Sequence, residues 1–417
     1  MKFKSNVELE ALSNATTNTD RFIVSDSNTL KYRTGSQVLS DIGGQASLTN
    51  PVTGTGTLNF VSKFTSTGST LGNSLIYDNG TYVGIGTVNP SEKLDVAGDI
   101  LINGITIGRG SGNVSSNTAN GYAALFSNTT GSNSVAIGVS SLYSNTTGSF
   151  NTAIGVNSLS LNTTGDINTA LGYYALSSNT TGTENVAVGA NALRENITGV
   201  SNTAVGQSSL RSNTIGIANT GVGTLSLNSN ISGSENTAIG LNTLRDNTTG
   251  DNNVAIGVNT LLLNVSGSDN TAVGRQTMFS NTTGSNNVAI GKFSLNNNLT
   301  GSFNVAIGRD ALFSNTASNN VAVGYQALRY NTTGISNTSV GYQALRLNTT
   351  GSQNAANGYQ ALANNTTGVG NVANGYQSLF SNTTESGNTA NGYQSLRSNT
   401  GSYNTANGSE ALRFNTT

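Results

Sequence analysis

The chain has no cysteine and no histidine, and its 417 residues include only two prolines, Pro51 and Pro90. Without cysteine there can be neither a disulfide framework nor a thiolate metal site. Without histidine, Ser-His-Asp and Cys-His nucleophilic catalysis, the usual zinc sites and the commonest general base are also lost. A carboxylate enzyme remains open on composition, since 19 Asp and Glu are present. No acidic pair recurs in a way that suggests an active site, so the expectation is a non-enzymatic chain with no cofactor and no metal. Charge is equally scarce: 9% of residues are charged and the formal net charge is −1. Nucleic-acid binding needs clustered Lys and Arg that displace counterions, so neither nucleic acid nor an anionic membrane surface is expected as partner. No stretch approaches 18 consecutive apolar residues, and Met1 to Asn6 are followed by acidic and polar residues rather than a hydrophobic signal region. Membrane insertion and Sec-type export are therefore not expected.

What is present is 35% hydrophobic residues and 51 glycines. Disordered segments combine low hydrophobicity with many charges and prolines, which is not this composition. The backbone needs regular partners, and β structure supplies them.

From Asn117 onward the sequence repeats the unit Asn-Thr-Ala-Ile-Gly-x-x-Ala-Leu-x-x-Asn-Thr-Thr-Gly-x-x. Eighteen copies start at Asn117, Ser134, Asn151 and so on to Asn404, at a spacing of 17 residues except for intervals of 16 from Asn304 and from Asn388. Position five is Gly in every copy, position twelve is Asn in every copy, and position nine is Leu except at Met278. Position three is Ala except at Gly221 and Ser339. One geometry repeated is implied, with Leu at nine as the buried anchor and position three against a close neighbour.

A coil of 17 residues, interrupted by Asn-Thr-Thr-Gly and a second Gly, cannot hold the two helices of a helical repeat. Positions two and four alternate with small residues at three and five, the period of a strand. Gly at five permits a backbone angle or close approach and turns the chain into a second short strand around Leu at nine. Asn-Thr-Thr-Gly is read as the return turn. Stacked at the inter-strand spacing of roughly 4.8 Å, eighteen coils make a rod on the order of 85 Å. With two or three large apolar side chains per coil, neighbouring coils and neighbouring chains are expected to complete the core.

Before the repeats, residues 1–48 carry two strand-like runs, Phe22 to Val24 and Leu30 to Arg33, and a short helix from Ser36 to Ile42. They are read as an N-terminal attachment module. Residues 49–116 read as a β-rich connector, with a hairpin turn at Asp78-Asn79-Gly80 and strand candidates over Ile100 to Ile107. Residues 117–417 are the rod.

Three surface features qualify as candidate sites. Tyr325, Tyr342, Tyr359, Tyr376 and Tyr393, each followed by Gln, form a stripe at position six where other copies hold Arg275, Lys292 and Arg309. The stripe is a candidate glycan contact through ring faces, weighed against simple stacking of like residues. Position four switches to Asn at Asn357, Asn374, Asn391 and Asn407, and also at Asn120, which predicts a buried amide ladder or, across three chains, an axial water or anion site. Arg at position ten, as at Arg194, Arg211, Arg245, Arg329, Arg346, Arg397 and Arg413, is read as a solvated face, with an anionic-glycan surface as the sharper alternative. The Asn-x-Thr triplets are read as turns, and no phosphate loop is present.

The string Asn-Val-Ala-Ile-Gly followed three residues on by a small residue and Leu, at Asn253 to Leu261 and Asn304 to Leu312, resembles the heads of trimeric autotransporter adhesins. The form Gly-Tyr-Gln-Ala-Leu-x-x-Asn-Thr-Thr-Gly, at Gly324 to Gly334 and Gly341 to Gly351, is similar to repeats in bacteriophage tail-fibre proteins. Tyr82 to Ile100 is similar to a segment that often precedes such repeats in tail-fibre proteins, and the stretch from Asp20 to Gly35 resembles the starts of phage fibre and appendage proteins. The resemblance implies an all-β, elongated, trimeric parallel β-roll or β-solenoid with a small N-terminal attachment module. It implies a homotrimer docked to a tail or baseplate protein by its N-terminus, located in a virion tail and mediating attachment to a host surface glycan or protein. Fibres of this kind often end in a chaperone domain, and none is recognised here. The chain stops in mid-repeat at Asn415-Thr416-Thr417, so a distal region carrying host recognition is expected past Thr417. A cellular trimeric adhesin is the nearest alternative. An ice-binding solenoid, prompted by Thr-Thr at positions thirteen and fourteen, and a depolymerase are further ones.

Overall fold

The computed structural model describes residues 21–26, 29–34, 60–64 and 71–416. The chain divides into two compact units, residues 1–97 and 98–417. In the first, the two strand-like runs form an antiparallel hairpin of β1 (Arg21–Asp26) and β2 (Thr29–Thr34). The expected helix at Ser36 to Ile42 lies outside the described residues. A four-stranded sheet follows, β3 (Phe60–Phe64), β4 (Leu71–Asp78), β5 (Val83–Ile85) and β6 (Leu94–Val96), antiparallel except for the parallel last pair. The predicted turn joins β4 to β5. Asp78 accepts from the Gly80 amide at 2.8 Å, and the Asn79 side chain accepts from the amides of Thr81 and Tyr82 at 2.9 and 2.8 Å.

The second unit opens with a hairpin of β7 (Ile100–Ile102) and β8 (Ile105–Gly108). The run expected as strand is broken at Asn103-Gly104, which take φ of 49° and 83°. Asn-Gly is the pair that tolerates two positive φ values in a two-residue turn. β8 pairs antiparallel with β9 (Thr118–Tyr122), so the hairpin covers the first coil of the stack. Among the described residues the single helical segment is a 3-10 turn at Ser111–Asn113.

From β9 on, each coil contributes one strand to a parallel ribbon, three residues long from β10 (Val135–Ile137) to β26 (Thr405–Asn407). The pairing is in register, Ala255 opposite Ala272 and Ala272 opposite Ala289. The two short coils keep it, Ala306 opposite Ala322 and Ala390 opposite Ala406. The missing residue comes out of the return loop, where Asn315 and Asn320 enclose four residues instead of five. The chain is thus an all-β parallel solenoid of 17-residue coils.

The expected second strand around Leu at nine is not there. Positions six to eleven form consecutive turns, and positions seven and nine are left-handed, as in Asn259 (φ 53°) and Leu261 (φ 52°). A left-handed residue other than Gly costs roughly 1–2 kcal/mol. For Leu that cost is offset by burial worth about 1.5–3 kcal/mol, and its amide still donates to the Thr277 carbonyl of the next coil at 2.9 Å. The left-handed twist turns the side chain inward, which an extended residue at this corner would not do.

Inside each coil point positions one, three, eight, nine, twelve and fifteen: Asn, Ala, a small residue, Leu, Asn and Gly. The Leu series from Leu125 to Leu396, Met278 included, has no exposed surface within one chain. The expectation that neighbouring chains complete the core is therefore corrected. The interior is so narrow that one Leu, two Ala-sized groups and two amides fill it.

Gly at five and fifteen sets the coil spacing. At Gly257 (φ 131°) a Cβ would lie 2.7 Å from the carbonyl oxygen of Gly274 in the next coil. At Gly267 it would overlap the Gly284 carbonyl and the amide of Asn264. Both positions need close approach, and position five also a φ that side chains avoid.

Candidate functional site

The polar chemistry of the rod lies in two places, inside the coil and on its outer faces. Inside, the invariant Asn at twelve is not primarily a turn former. Asn264 donates through Nδ2 to Oδ1 of Asn247 at 2.8 Å and to the Gly267 carbonyl at 2.9 Å, and its Oδ1 accepts from Asn281 at 2.8 Å. Position one builds a second ladder. Asn253 donates to Asn236 Oδ1 at 3.0 Å and to the same Gly267 carbonyl at 2.9 Å, and accepts from the amide of Asn270 at 3.1 Å. The two ladders meet on one carbonyl and close the coil with buried amides fully paired, as a buried polar network must be. The sequence signal was the recurrence of Asn at positions one and twelve; Asn at twelve was read as turn chemistry and position one was given no role. The ladder at twelve breaks once, at the short coil. Asn315 turns its Nδ2 to the Ala317 carbonyl at 2.7 Å, and Asn298 Oδ1 is left buried without a partner.

The buried ladder predicted at Asn357, Asn374, Asn391 and Asn407 is corrected in its location. Residues two and four of each strand face outward while one and three face in, so Asn357, Asn374 and Asn407 are exposed and Asn391 half-buried. Amide bonds do run between them, Asn374 to Asn391 at 2.9 Å and Asn391 to Asn407 at 2.7 Å, on the surface. Asn120 in the first coil is also exposed. Every coil from Ile137 to Val340 instead presents an aliphatic side chain at position four, with Ile137, Leu171, Ile239 and Ile290 at 38%, 44%, 40% and 40% exposure.

The tyrosine stripe is a column of stacked rings. Centroids from Tyr325 through Tyr342, Tyr359, Tyr376 and Tyr393 lie 5.1–5.4 Å apart and within 16° of parallel. Each interior ring spends both faces on its neighbours and offers solvent its edge and hydroxyl. The adjoining glutamines form an amide chain, Gln343 to Gln326 at 2.9 Å and Gln360 to Gln343 at 3.1 Å. Stacking of a sugar on a ring face is accordingly confined to the ends of the column, and Arg309 lies 5.9 Å over the Tyr325 ring at one of them.

Several of the position-ten arginines pack on aromatic neighbours, while Arg211 stays solvated beside Glu195 at 3.8 Å. Arg194 lies over Tyr174, Arg346 over Tyr330, Arg397 over Phe380 and Arg413 over Phe414, each 5.1–5.6 Å from the ring centroid. Arg245 instead holds Asp246 through two bonds of 2.7 and 2.8 Å, which raises its already high pKa; burial opposes this and the carboxylate charge adds to it. The Thr hydroxyls at thirteen point along the stack, Thr146 to the Thr163 carbonyl at 2.9 Å and Thr163 to the Thr180 carbonyl at 3.0 Å. Among the described residues no three acidic side chains gather as a metal site, and no helix is long and apolar enough to cross a membrane.

No family model, curated protein or solved structure matches this chain.

Proposed function

We propose that the chain is the rod of a fibre, assembled as a parallel homotrimer, which holds an attachment surface away from its anchor. The observation that carries this reading is the outer strand face. A row of aliphatic side chains one per coil, flanked by Val or Thr at position two, lies open on a chain whose interior is already closed. Exposed apolar strips this long mark association surfaces. A rod's flat, repeating face is matched in register by another copy of itself. The trimeric number, the tail-fibre setting, the virion location and docking through the N-terminus come from the resemblance of the repeats and of Tyr82 to Ile100. A cellular trimeric adhesin uses the same arrangement. The Thr hydroxyls at thirteen, already bonded along the stack, favour the fibre over an ice-binding face.

Light scattering on the folded chain is expected to return three times the chain mass. Changing Ile256, Ile290 and Ile307 together to Asn, the residue of the last coils, is expected to give a folded chain of single mass. A folded wild-type chain of single mass would remove the trimer from this proposal.

A further inference from the structure

One stretch of the outer surface stands apart, the coils starting at Asn270, Asn287, Asn304 and Asn320. Here position ten reads Phe279, Asn296, Phe313, Arg329. The short Asn296 between two phenyl groups leaves a gap in the column. It opens into a basin of roughly 430 Å³, within the range of small-molecule sites. Asn296 is its floor, 9% exposed and fixed by its Nδ2 on the Gln276 carbonyl at 2.7 Å.

The walls are built rather than accidental. Position seven, elsewhere in the rod mostly Asn, Ser or Gln, holds Phe293 and Asp310 in the two middle coils. Phe293 stands edge-on to Phe313 with centroids 6.2 Å apart and Lys292 4.9 Å above its ring. Arg329 lies 5.6 Å over Phe313. The Asp310 side chain is 7% exposed and reaches Arg309 at only 3.7 Å.

Charge selects the ligand. Arg275, Lys292 and Arg309 occupy position six of three successive coils, so each cation has a like charge one coil away. Of these Arg309 lines the basin, together with Arg329, so two cations face the single carboxylate of Asp310 on a chain whose net charge is −1. Two cations beside one carboxylate leave the basin net positive, which favours an anionic ligand. Aromatic walls and amides beside the cations suit a ring with apolar C–H faces and several hydroxyls, and Asp310 inside the basin accepts from hydroxyls while opposing a multiply charged phosphate.

We propose that the basin over Asn296 binds a carboxylated sugar residue of an acidic glycan, with Arg309 and Arg329 engaging the carboxylate and Phe293 and Phe313 the ring. The inference deepens the attachment reading by naming a ligand class on the rod itself. It rests on that reading only for the source of the sugar, so a chain that binds the isolated sugar but no cell would separate the two.

The test is calorimetric titration of the full chain with a galacturonate tetrasaccharide and with 3′-sialyllactose. The uncharged twins, the methyl esters of the tetrasaccharide and of 3′-sialyllactose, are the controls. At least one acid is expected to bind about tenfold or more tightly than its twin. Arg309→Gln, on an exposed side chain, is expected to weaken it about tenfold, and Asn296→Phe, which fills the gap without changing charge, to abolish it. Should Asn296→Phe melt below the wild type by circular dichroism, Phe313→Ala takes its place with an expected loss of about tenfold. Binding that survives both changes at Asn296 and Phe313, equal binding of acid and neutral twin, or no binding of either acid would each overturn the proposal.

Discussion

The coils before Gln353 and those after it have the same inside and different outsides. Ala at three, Leu at nine and Asn at one and twelve recur, with few substitutions, in both groups and are buried in both up to the last coil, where Leu412 is exposed. Outside, position four changes from Ile or Val to Asn, while Tyr and Gln at six and seven, which begin at Tyr325 and Gln326, run on through the later coils. The ribbon crosses the change without a shift, Val340 opposite Asn357 as Ile256 is opposite Val273. The fold is therefore specified by the six inward positions of each coil together with Gly at five. The outward ones are free to carry aliphatic rows, ring columns or cations, so association and binding can vary along a rod of constant geometry.

The sharpest way to break that comparison is to exchange an inside residue and an outside residue of the same coil. Leu261→Ala is expected to cost 2–5 kcal/mol through the cavity it leaves, and Leu261→Asp more, because an unpaired charge would be buried. Ile256→Asn copies the later coils and is expected to cost under about 1 kcal/mol in an unassociated chain. A solenoid opens locally, so amide exchange of the coils around Asn253 to Asp269 is the measurement. Equal loss of protection in Leu261→Ala and Ile256→Asn would show that the inside does not dominate.

A smaller effect separates the intact ladder from its break. Asn264→Ala strands an Nδ2 donor of Asn281 and an Oδ1 acceptor of Asn247, and buried groups left unpaired cost about 1–3 kcal/mol each. Asn298→Ala, next to the short coil, removes an Oδ1 that has no partner to lose. The first variant is expected to lower the denaturation midpoint clearly more than the second; the reverse order would mean that the ladder does not bear on stability.

Much of this was legible because recurrence in a repeat marks what the geometry cannot exchange. Period, strand at two to four, Leu at nine and close approach at Gly five all followed from it, whereas Gly at fifteen, read as a turn residue of positive φ, takes no positive φ and is instead held by close approach to the next coil. What was misread has a common cause. In a globular domain the larger aliphatic of an alternating pair faces the core, so Ile at four suggested an inward side and Asn357 a buried amide. A coil this narrow admits only Ala on that side and sends Ile out. The same narrowness puts Leu261 in a left-handed corner, which no propensity for Leu anticipates, and moves Asn264 from the turn it resembles to the interior. The basin at Asn296 was obscured for another reason. Arg275, Lys292 and Arg309 were visible as cations, but the gap exists only because Phe279 and Phe313 lie two coils apart in one column.

On the outside of the later coils, Tyr359→Ala removes one ring from a column. Aromatic pairs contribute about 0.5–1.5 kcal/mol beyond area, and the ring is 42% exposed, so a loss near 1 kcal/mol is expected. Changing Tyr342, Tyr359 and Tyr376 together to Ala is expected to leave cell binding unchanged, because their faces are already stacked; tight binding that vanished in this variant would make the column a receptor site.

The smallest expected effect is a dependence on pH confined to one coil. Position fifteen, Gly in most copies, is Glu385 in the coil starting at Asn371. Its backbone keeps the usual role, with the carbonyl accepting from Asn371 and Asn382 at 2.9 Å each. Its carboxylate is the novelty. Partial burial pushes its pKa up, but bonds from the amides of Thr383, Glu385 and Thr384 and from the Thr384 hydroxyl outweigh that, and the pKa falls below the ordinary Glu value. The Thr383 and Thr384 amides reach Oε2 at 2.8 and 3.1 Å. A carboxyl whose folded pKa is depressed stabilises the fold above the unfolded pKa, about 4.3 for Glu, and loses that contribution as pH falls through the folded value. Amide protection of Thr383 and Thr384 should therefore exceed that in Glu385→Gln at neutral pH and converge with it in acid. The matching loop at Thr349 and Thr350, closed by Gly351, should show no such step. A gap between wild type and Glu385→Gln that held constant into acid would mean that the carboxylate charge does not order this loop.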